Sequence, residues 1–362
     1  MPRIRYYITG HGLGHASRAC QIINTLRRRH PDCQVEVVSD AHPWFFAGYL
    51  DPSVAVRRLS LDIGVLQQDS LVLQAAATLE TCRNFYAQQG PALVTAEAAS
   101  LSRERIDLVV ADIPPLAFSA AAAAGIAAVG IANFTWDWIY AGLAESQPGY
   151  DDVLDVVGNH YRQANLLLRL PFSPAETAIP LWEELPLVAR HGHCPPAQIR
   201  RELGIPEDKH LALICFGGFG LQSYDFAPLA DLTDWVFLTE AEQAWRQGPV
   251  RSLPMGAIPY PELVRAAEVV ITKPGYGIVA EAIANETAVL WTSRGQFREE
   301  PLLVEGLRRH TRSLEISNEA LRRGDWGPAL KQLLAQPQPG ETLASDGDQV
   351  AADRLAQLAA RR

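Results

Sequence analysis

The sequence predicts an α/β protein made of two doubly wound domains that face each other across a cleft. Short apolar strands alternate with helical segments along most of the chain, as in parallel sheets covered by helices. A strand, a glycine loop and a helix follow one another near the N-terminus and again in the second half. The proline-rich passage 171–206 separates the two units. We therefore expect one domain over residues 1–185 and a second over 186–348.

The composition is that of a globular protein with two cores. The 362 residues exceed one comfortable core, and 48% of them are hydrophobic and 20% charged. The net charge of −9 and the isoelectric point of about 5.5 disfavour a general nucleic-acid or anionic-membrane binder.

Two features predict a cytoplasmic protein without a transmembrane segment. The five cysteines are scattered and form no C-x-x-C pair, which favours reduced thiols, and the N-terminus enters a strand without a signal peptide. The Ala-rich segment Leu116–Phe134 is broken by Gly125 and Gly130. We expect a packed helix followed by a strand there, not a membrane span.

The N-terminal loop supplies the candidate catalytic base. His15 lies at the turn between the first strand and a helix that runs to about Arg29, and an imidazole suits proton transfer from a hydroxyl. Asp112 ends a later strand at the same edge of the sheet, where it could orient the ring. His11 competes for the role of base. His15 could instead contact phosphate or acceptor or be structural, and Asp112 could be a helix N-cap.

An aromatic cluster follows another strand end. Asn133–Tyr140 reads NFTWDWIY, and strand ends of a doubly wound sheet carry the binding crevice. The cluster could line an acceptor pocket. The alternative is that Trp136 and Trp138 pack the floor of the first domain.

A second glycine loop, in the other half, predicts a phosphate site. The strand Val269–Thr272 is followed by Lys273-Pro-Gly-Tyr-Gly and a helix. Gly275 and Gly277 allow close approach of a ligand, and the free N–H groups of the helix suit a diphosphate.

Three carboxylates accompany this loop. Glu281 lies one turn into the helix, where it could accept hydrogen bonds from both hydroxyls of a ribose. Glu299 and Glu300 follow the next strand and could accept hydrogen bonds from sugar hydroxyls.

Five motifs stand in order along the chain: GHGLGHASR (Gly10–Arg18), NFTWDWIY (Asn133–Tyr140), CFGGFG (Cys215–Gly220), KPGYGIVAEA (Lys273–Ala282) and FREEP (Phe297–Pro301). In this order they resemble GT-B glycosyltransferases, in particular the glycosyltransferase-like N-terminal half of plant L-arabinokinases and their bacterial relatives. The peptidoglycan N-acetylglucosaminyltransferase and plant UDP-glycosyltransferases share this layout. The resemblance implies two Rossmann-like domains, with the last helix, 349–362, packed back on the first.

The resemblance also implies inverting transfer of a sugar from a nucleotide sugar, most likely UDP-linked, to a hydroxyl of a small-molecule acceptor. It implies His15 and Asp112 as catalytic residues, and it implies neither a cofactor nor a metal. Residues expected at the donor are Gly12, Gly14, Gly217, Gly218, Phe219, Ile258, Lys273, Gly275, Tyr276, Gly277, Glu281, Glu299 and Glu300. Residues expected at the acceptor are His11, Phe134, Trp136 and Asp137. The family has a glutamine in the region of the Glu299–Glu300 pair, which leaves the sugar open.

Other readings stay open. A regulatory module could bind a sugar nucleotide without transferring it, because the plant proteins continue into a sugar-kinase domain. A NAD enzyme would use Asp40 for the ribose, but its fingerprint requires glycine where His15 stands. The group His191, His193 and Cys194 could suggest a metal site but has no matching cluster.

Overall fold

A computed structural model describes residues 1–67, 73–216 and 224–360 and contains two mostly parallel sheets flanked by helices. The first half supplies one sheet of seven described strands. These are β1 (Arg3–Ile8), β2 (Gln34–Ser39), β3 (Ala55–Arg57), β4 (Leu108–Asp112), β5 (Ala127–Ala132), β6 (Leu166–Arg169) and β7 (Trp182–Glu184). They lie in the order β3-β2-β1-β4-β5-β6-β7, and every pair is parallel.

The helices of the first half connect these strands. They are α1 (Leu13–Arg29), α2 (Pro43–Tyr49), α3 (Ala75–Asn84), α4 (Gly90–Arg103), α5 (Pro115–Ala124), α6 (Trp136–Ala144) and α7 (Asp151–Tyr161). A π-helical segment at Phe85–Gln89 separates α3 from α4. Pro91 follows it and has no backbone N–H, so the regular hydrogen-bond ladder cannot continue through this point.

The second half repeats the architecture. Its described strands are β8 (His210–Cys215), β9 (Trp235–Ala241), β10 (Arg246–Gln247), β11 (Val250–Pro254), β12 (Val269–Thr272), β13 (Ala288–Trp291) and β14 (Ser313–Glu315). Their order is β10-β11-β9-β8-β12-β13-β14, and β10 is antiparallel to β11 while the other pairs are parallel.

Seven helices accompany the second sheet in the described residues. They are α8 (Pro196–Glu202), α9 (Tyr260–Ala266), α10 (Tyr276–Ala284), α11 (Glu300–His310), α12 (Asn318–Arg323), α13 (Gly327–Leu334) and α14 (Gly347–Ala360), with a 3₁₀ turn at Ala227–Asp231. The strands β8 and β12 are buried almost throughout. This burial explains their largely apolar sequences, because a parallel sheet is covered on both faces.

The strand orders place a crevice at one point of each sheet. In the first sheet β1 lies between β2 and β4, so the connections after β1 and β4 leave in opposite directions. In the second sheet β8 and β12 hold the corresponding positions. Ligands of such sheets bind beyond the carboxyl ends of the strands at these switch points. The loops Gly10–Gly12 and Lys273–Gly275 therefore mark the places where a site is expected.

The last helix, α14, packs along α1. Asp348 accepts hydrogen bonds from Thr25 (2.6 Å) and Gln21 (3.0 Å), and Asp353 pairs with Arg29 (2.7 Å). Asp348 lies in the first turn of α14, and its carboxylate points to α1.

No helix in the described parts of the chain is both long and apolar enough to span a bilayer. The Ala-rich segment Leu116–Phe134 forms α5 and β5, as the two glycines predict.

Candidate functional site

The first switch point brings His15 and Asp112 together. His15 lies in the first turn of α1, and Asp112 is the last residue of β4. His15 Nδ1 is 2.8 Å from Asp112 Oδ1, and both side chains are buried. The pairing expected from the sequence is therefore present in the geometry.

Arg18 is a third member of this group that the sequence analysis missed. Its guanidinium forms a bidentate ion pair with Asp112, with Nε and Nη2 each 2.6 Å from a carboxylate oxygen. Burial alone would raise the pKa of Asp112, but Arg18 and His15 hold it below its usual value, so the carboxyl group is ionised at neutral pH. Arg18 is 4% exposed, so this charge pair is formed away from solvent.

The position of Arg18 bears on the tautomer of His15. Arg18 Nη2 lies 2.9 Å from His15 Nδ1, so this nitrogen faces both a guanidinium and a carboxylate. If Nδ1 had no hydrogen, its lone pair would face the ionised oxygen of Asp112 at 2.8 Å. The tautomer with the hydrogen on Nδ1 avoids this repulsion and leaves the Nε2 lone pair free to accept a proton, whereas the other tautomer would accept a hydrogen bond from Arg18 Nη2.

Asn133 extends the network to the second domain. Its Oδ1 accepts a 2.7 Å hydrogen bond from Arg18, and its Nδ2 donates a 2.8 Å hydrogen bond to Glu299 Oε1. Asn133 follows β5 directly and is 1% exposed. The two partners fix the orientation of the amide, because one requires an acceptor and the other a donor.

The acidic pair lies at the N-terminus of α11, and its two members differ in their contacts. Glu299 also lies 3.4 Å from Arg294, which donates a 3.0 Å hydrogen bond to the carbonyl of Pro274 in the second glycine loop. Glu300 accepts hydrogen bonds from the Ser293 hydroxyl (2.6 Å) and from the Arg294 backbone N–H. Glu300 thus forms hydrogen bonds within the loop that precedes α11, whereas Glu299 links the two domains.

The N-termini of α1 and α10 meet across the domain boundary. Gly14 and Gly277 are in backbone contact, and a Cβ on Gly277 would lie 3.3 Å from Gly14 Cα. The Arg18 guanidinium lies 4.9 Å from the centre of the Tyr276 ring. The free N–H groups of both helices therefore converge beside the His15–Asp112 pair, and Lys273 immediately precedes the second loop.

Glu281 has a partner that the sequence analysis did not foresee. Arg190, in the connection between the domains, donates a 2.6 Å hydrogen bond from Nε to Glu281 Oε1. Glu281 is buried in α10 and faces a small cavity that Gly277 also lines. Ile258 is partly buried against the core beside Tyr260, at the start of α9.

The expected acceptor residues surround His11 and His15 on the side of the first domain. Trp136 is fully buried, stands edge-on to His11 with 5.3 Å between ring centres, and donates a 2.8 Å hydrogen bond from Nε1 to Asp62. Phe134 stands edge-on to His15 at 5.5 Å. Trp136 thus packs the floor of the first domain beside His11, and contact of this residue with an acceptor stays a prediction.

Burial shifts the pKa values of three groups in this region. Burial, with His15 and nearby cations, lowers the pKa of His11 to about 3, so its ring is neutral. Burial raises the pKa of Asp62 to about 7, against hydrogen bonds from Thr9 and Trp136. The pKa of Asp137 is also raised by burial, and its Oδ1 has no hydrogen-bond partner in the described residues.

Four residues expected at the donor remain. Gly12 is the N-cap of α1 with φ 73°, a conformation that favours glycine. Gly217, Gly218 and Phe219 lie outside the described residues.

Within the ranges that the structure describes, no three His, Cys, Asp or Glu side chains are placed to hold a metal ion.

Comparison with known proteins gives one curated relative and many structural neighbours. No family model matches the chain. The chain is 30% identical over 361 residues to an L-arabinokinase of Arabidopsis thaliana, an alignment that covers 99% of this chain and 34% of that protein. The chain thus spans about a third of the length of this relative.

The structural neighbours are glycosyltransferases. A Polygonum tinctorium UDP-glucosyltransferase has a TM-score of 0.64 at 14% identity, covering 100% of this chain and 99% of its own. The Phytolacca americana enzyme UGT2, complexed with UDP-2-fluoroglucose and pterostilbene, has a TM-score of 0.62 at 14% identity, covering 99% and 94%. MurG of Acinetobacter baumannii has a TM-score of 0.60 at 12% identity, covering 99% and 100%. The chain therefore has the two-domain GT-B fold of these glycosyltransferases.

Proposed function

We propose that this chain is an inverting glycosyltransferase that moves a sugar from a UDP-linked donor to a hydroxyl of a small-molecule acceptor. The observation that carries the proposal is the buried His15–Asp112 pair beside the converging N-termini of α1 and α10. In this proposal a proton acceptor lies next to two helix N-termini, whose N–H groups favour an anion.

His15 acts as the general base in this proposal. Its Nδ1–H is held by Asp112, and Nε2 takes the proton of the acceptor hydroxyl as the oxygen attacks the anomeric carbon of the sugar. The bond from that carbon to the diphosphate breaks in the same displacement, so the configuration inverts. Phe134 and Trp136 supply an apolar wall for the acceptor.

The second domain holds the donor. The N–H groups at the start of α10, with Lys273, stabilise the charge of the departing diphosphate, and Glu281 accepts from the ribose hydroxyls. Glu299 is the better placed of the acidic pair to accept from the sugar, because Glu300 is engaged within its own turn. In the described state Glu299 contacts Asn133 and Arg294, so sugar hydroxyls would share or replace these contacts.

A thermal-shift titration with UDP, dTDP, GDP, ADP and NAD tests the donor site. A ligand that binds the native state raises the melting temperature by mass action, and UDP should give the largest shift. The variant Glu281→Ala should remove that shift. A shift with NAD alone, or none with any nucleotide or nucleotide sugar, would contradict the proposal.

A pair of histidine variants tests the base once an acceptor is found by screening. His15→Ala should retain donor binding and lower turnover by roughly 10²- to 10⁴-fold, the usual contribution of a general base. His310→Ala, at the distant end of α11, is the matched control and should leave turnover unchanged. Full turnover by His15→Ala would exclude His15 as the base.

A non-catalytic module that binds a sugar nucleotide is the second candidate. The observation in its favour is the bidentate ion pair between Arg18 and Asp112. It neutralises the carboxylate charge that would otherwise stabilise a protonated His15. The Arabidopsis relative, three times the length of this chain, also allows a regulatory role. This candidate would be favoured if the protein binds a nucleotide but transfers no sugar to any screened acceptor, and if His15→Ala binds that nucleotide as tightly as the unchanged protein does.

A further inference from the structure

Three consecutive residues of the second domain lie on the first domain. Phe297, Arg298 and Glu299 stand between β13 and α11. Each of them contacts the first-domain segment 133–142, which runs from the end of β5 into α6. We call residues 297–299 the crossing segment. Its contacts with the first domain differ in kind, and together they decide how the cleft beside His15 is closed.

Phe297 packs inside the first domain. Its side chain is 3% exposed and belongs to a hydrophobic cluster whose other buried members all come from the first domain. Its ring stands edge-on to Phe134 with 6.5 Å between ring centres, and Phe134 stands edge-on to His15. Burial of an aromatic ring is strongly favourable, so Phe297 holds the crossing segment against the aromatic group that contacts His15.

Arg298 binds the surface of α6. Its Nη1 donates a 2.8 Å hydrogen bond to the carbonyl of Trp138, and its guanidinium lies 4.7 Å from the centre of the Trp138 ring. The aliphatic stem of Arg298 packs on Gly142, where a Cβ would lie only 2.8 Å from Arg298 Cδ. Glycine inside a helix costs stability relative to alanine. At position 142 the missing side chain makes room for the arginine.

His15 is covered in this arrangement. The residue is only 8% exposed, and its Nδ1 faces Asp112 and Arg18. A ligand that contacts Nε2 needs space beside the ring, so part of the structure must move to admit it. The contacts of Arg298 lie at the rim of the cleft, and its ion pair with Glu145 is long, at 3.9 Å, and solvent-exposed. These contacts can break without unfolding either domain.

We propose that the crossing segment is a latch that closes the cleft over His15 in the ligand-free protein, and that a ligand reaches His15 only after the latch has left the first domain. The inference goes beyond the proposed function. It concerns access to His15, and it holds whether this residue acts as a base or as a binding group. Release of the latch also breaks the bond between Glu299 and Asn133, which frees the Glu299 carboxylate for a ligand.

Two variants weaken the latch, one from each domain. Arg298→Met removes the hydrogen bond and the cation–π contact with Trp138 but keeps an unbranched stem on α6. Gly142→Leu places a side chain where the stem of Arg298 lies, and leucine is a good helix former, so α6 should persist. Arg309→Met is the matched control, because this arginine of α11 pairs with Glu341 inside the second domain. All three should melt close to the unchanged protein.

The rate at which diethyl pyrocarbonate modifies His15 measures access to this residue. Mass spectrometry of peptides follows each histidine separately, and no nucleotide or acceptor is needed. The exposed His42 gives a reference rate in the same sample. A covered group reacts through the open fraction of the protein when opening is fast. Arg298→Met and Gly142→Leu should raise the His15 rate roughly 10-fold, the effect of losing one hydrogen bond and one cation–π contact on that fraction.

The contrary results are distinct. If His15 of the unchanged protein reacts as fast as His42, the cleft is open in solution and the inference is wrong. It is equally wrong if neither latch variant raises the His15 rate, if Arg309→Met raises it as much, or if the His42 rate rises with it. If one latch variant melts early, the other decides. A protein that binds no nucleotide in the thermal-shift panel would contradict the proposed function and leave the latch to this test.

Discussion

The amide of Asn133 donates a 2.8 Å hydrogen bond to Glu299, and this bond joins the first domain to the second. The Oδ1 atom of the same amide accepts a hydrogen bond from Arg18, which forms an ion pair with Asp112. A single buried chain of polar contacts therefore runs from the candidate base to the acid expected at the donor sugar. The contact between the domains and the position of His15 are therefore linked through this chain of hydrogen bonds.

Asn133→Ala should destabilise the folded protein, because it leaves a buried Glu299 oxygen and a buried Arg18 nitrogen without partners. Hydrogen bonds to charged groups contribute about 1.5–3 kcal/mol each, so the loss should be on the order of 3 kcal/mol. Thermal and urea denaturation measure it. Asn159→Ala, at an exposed position of α7, should change stability by less than about 0.5 kcal/mol. Equal stability of the two variants would show that the contact across the domains carries no energy.

The ion pair between Arg18 and Asp112 predicts strong coupling in a double-mutant cycle. Arg18→Met should cost roughly 3–5 kcal/mol, because it leaves a buried carboxylate without its cation. Asp112→Asn should be similarly costly for the opposite reason, and the double variant should lose much less than the sum. Additive losses in urea denaturation would mean that the two side chains do not interact.

The same ion pair predicts that the stability of the folded protein depends on pH in the acidic range. The pKa of Asp112 is lower in the folded protein than in the unfolded chain, so the unfolded state binds more protons as the pH falls below about 4. The stabilisation by Asp112 is therefore present above this range and is lost as the pH falls through it. The difference between the unchanged protein and Asp112→Asn should shrink at low pH.

Asp62 predicts the opposite trend near neutral pH. Its pKa is about 7 in the folded protein, above the unfolded value, so the folded state binds more protons between about pH 4 and 7. Stability contributed by the protonated acid is lost as the pH rises through this window, at about 1.4 kcal/mol for each unit of pKa shift. Asp62→Asn can still accept from Trp136 and cannot ionise.

Melting temperatures between pH 5 and 8 test this prediction. The advantage of Asp62→Asn over the unchanged protein should grow with pH, while Asp155→Asn, at an exposed position of α7, should show no such trend. A constant difference across the range would mean that Asp62 does not titrate there.

The alternation of strands and glycine loops was sufficient to predict the two-sheet fold, because parallel strands buried on both faces leave a continuous apolar signature. It also placed His15 and Asp112 at one edge, since His15 follows β1 and Asp112 ends β4, the two strands at the switch point. Arg18 could have been found by the same logic. It lies one helical turn after His15, so both side chains share a face of α1.

The contacts between the two domains had no sequence signal. Arg190 lies in an irregular connection, and its contact with Glu281 bridges 91 positions of the chain. Asn133 and Glu299 are 166 positions apart and belong to different domains, so the packing of the two domains against each other brings them together. Local patterns predict which edge a side chain occupies but not which partner from another domain reaches it.

Two glycines of the second loop should separate the fold from the ligand site. A Cβ on Gly275 meets no atom within 4 Å, whereas one on Gly277 would press on the backbone of Gly14 at 3.3 Å. Gly275→Ala should therefore keep the melting temperature and weaken UDP binding, because its methyl group would project into the space expected for the diphosphate. Gly277→Ala should lose about 1 kcal/mol of stability, since the domains must separate slightly to admit the methyl group. Thermal denaturation and calorimetric titration with UDP on both variants give the comparison. UDP binding by Gly275→Ala equal to that of the unchanged protein would place the diphosphate elsewhere, and a fully stable Gly277→Ala would show that the two helix N-termini do not meet in solution.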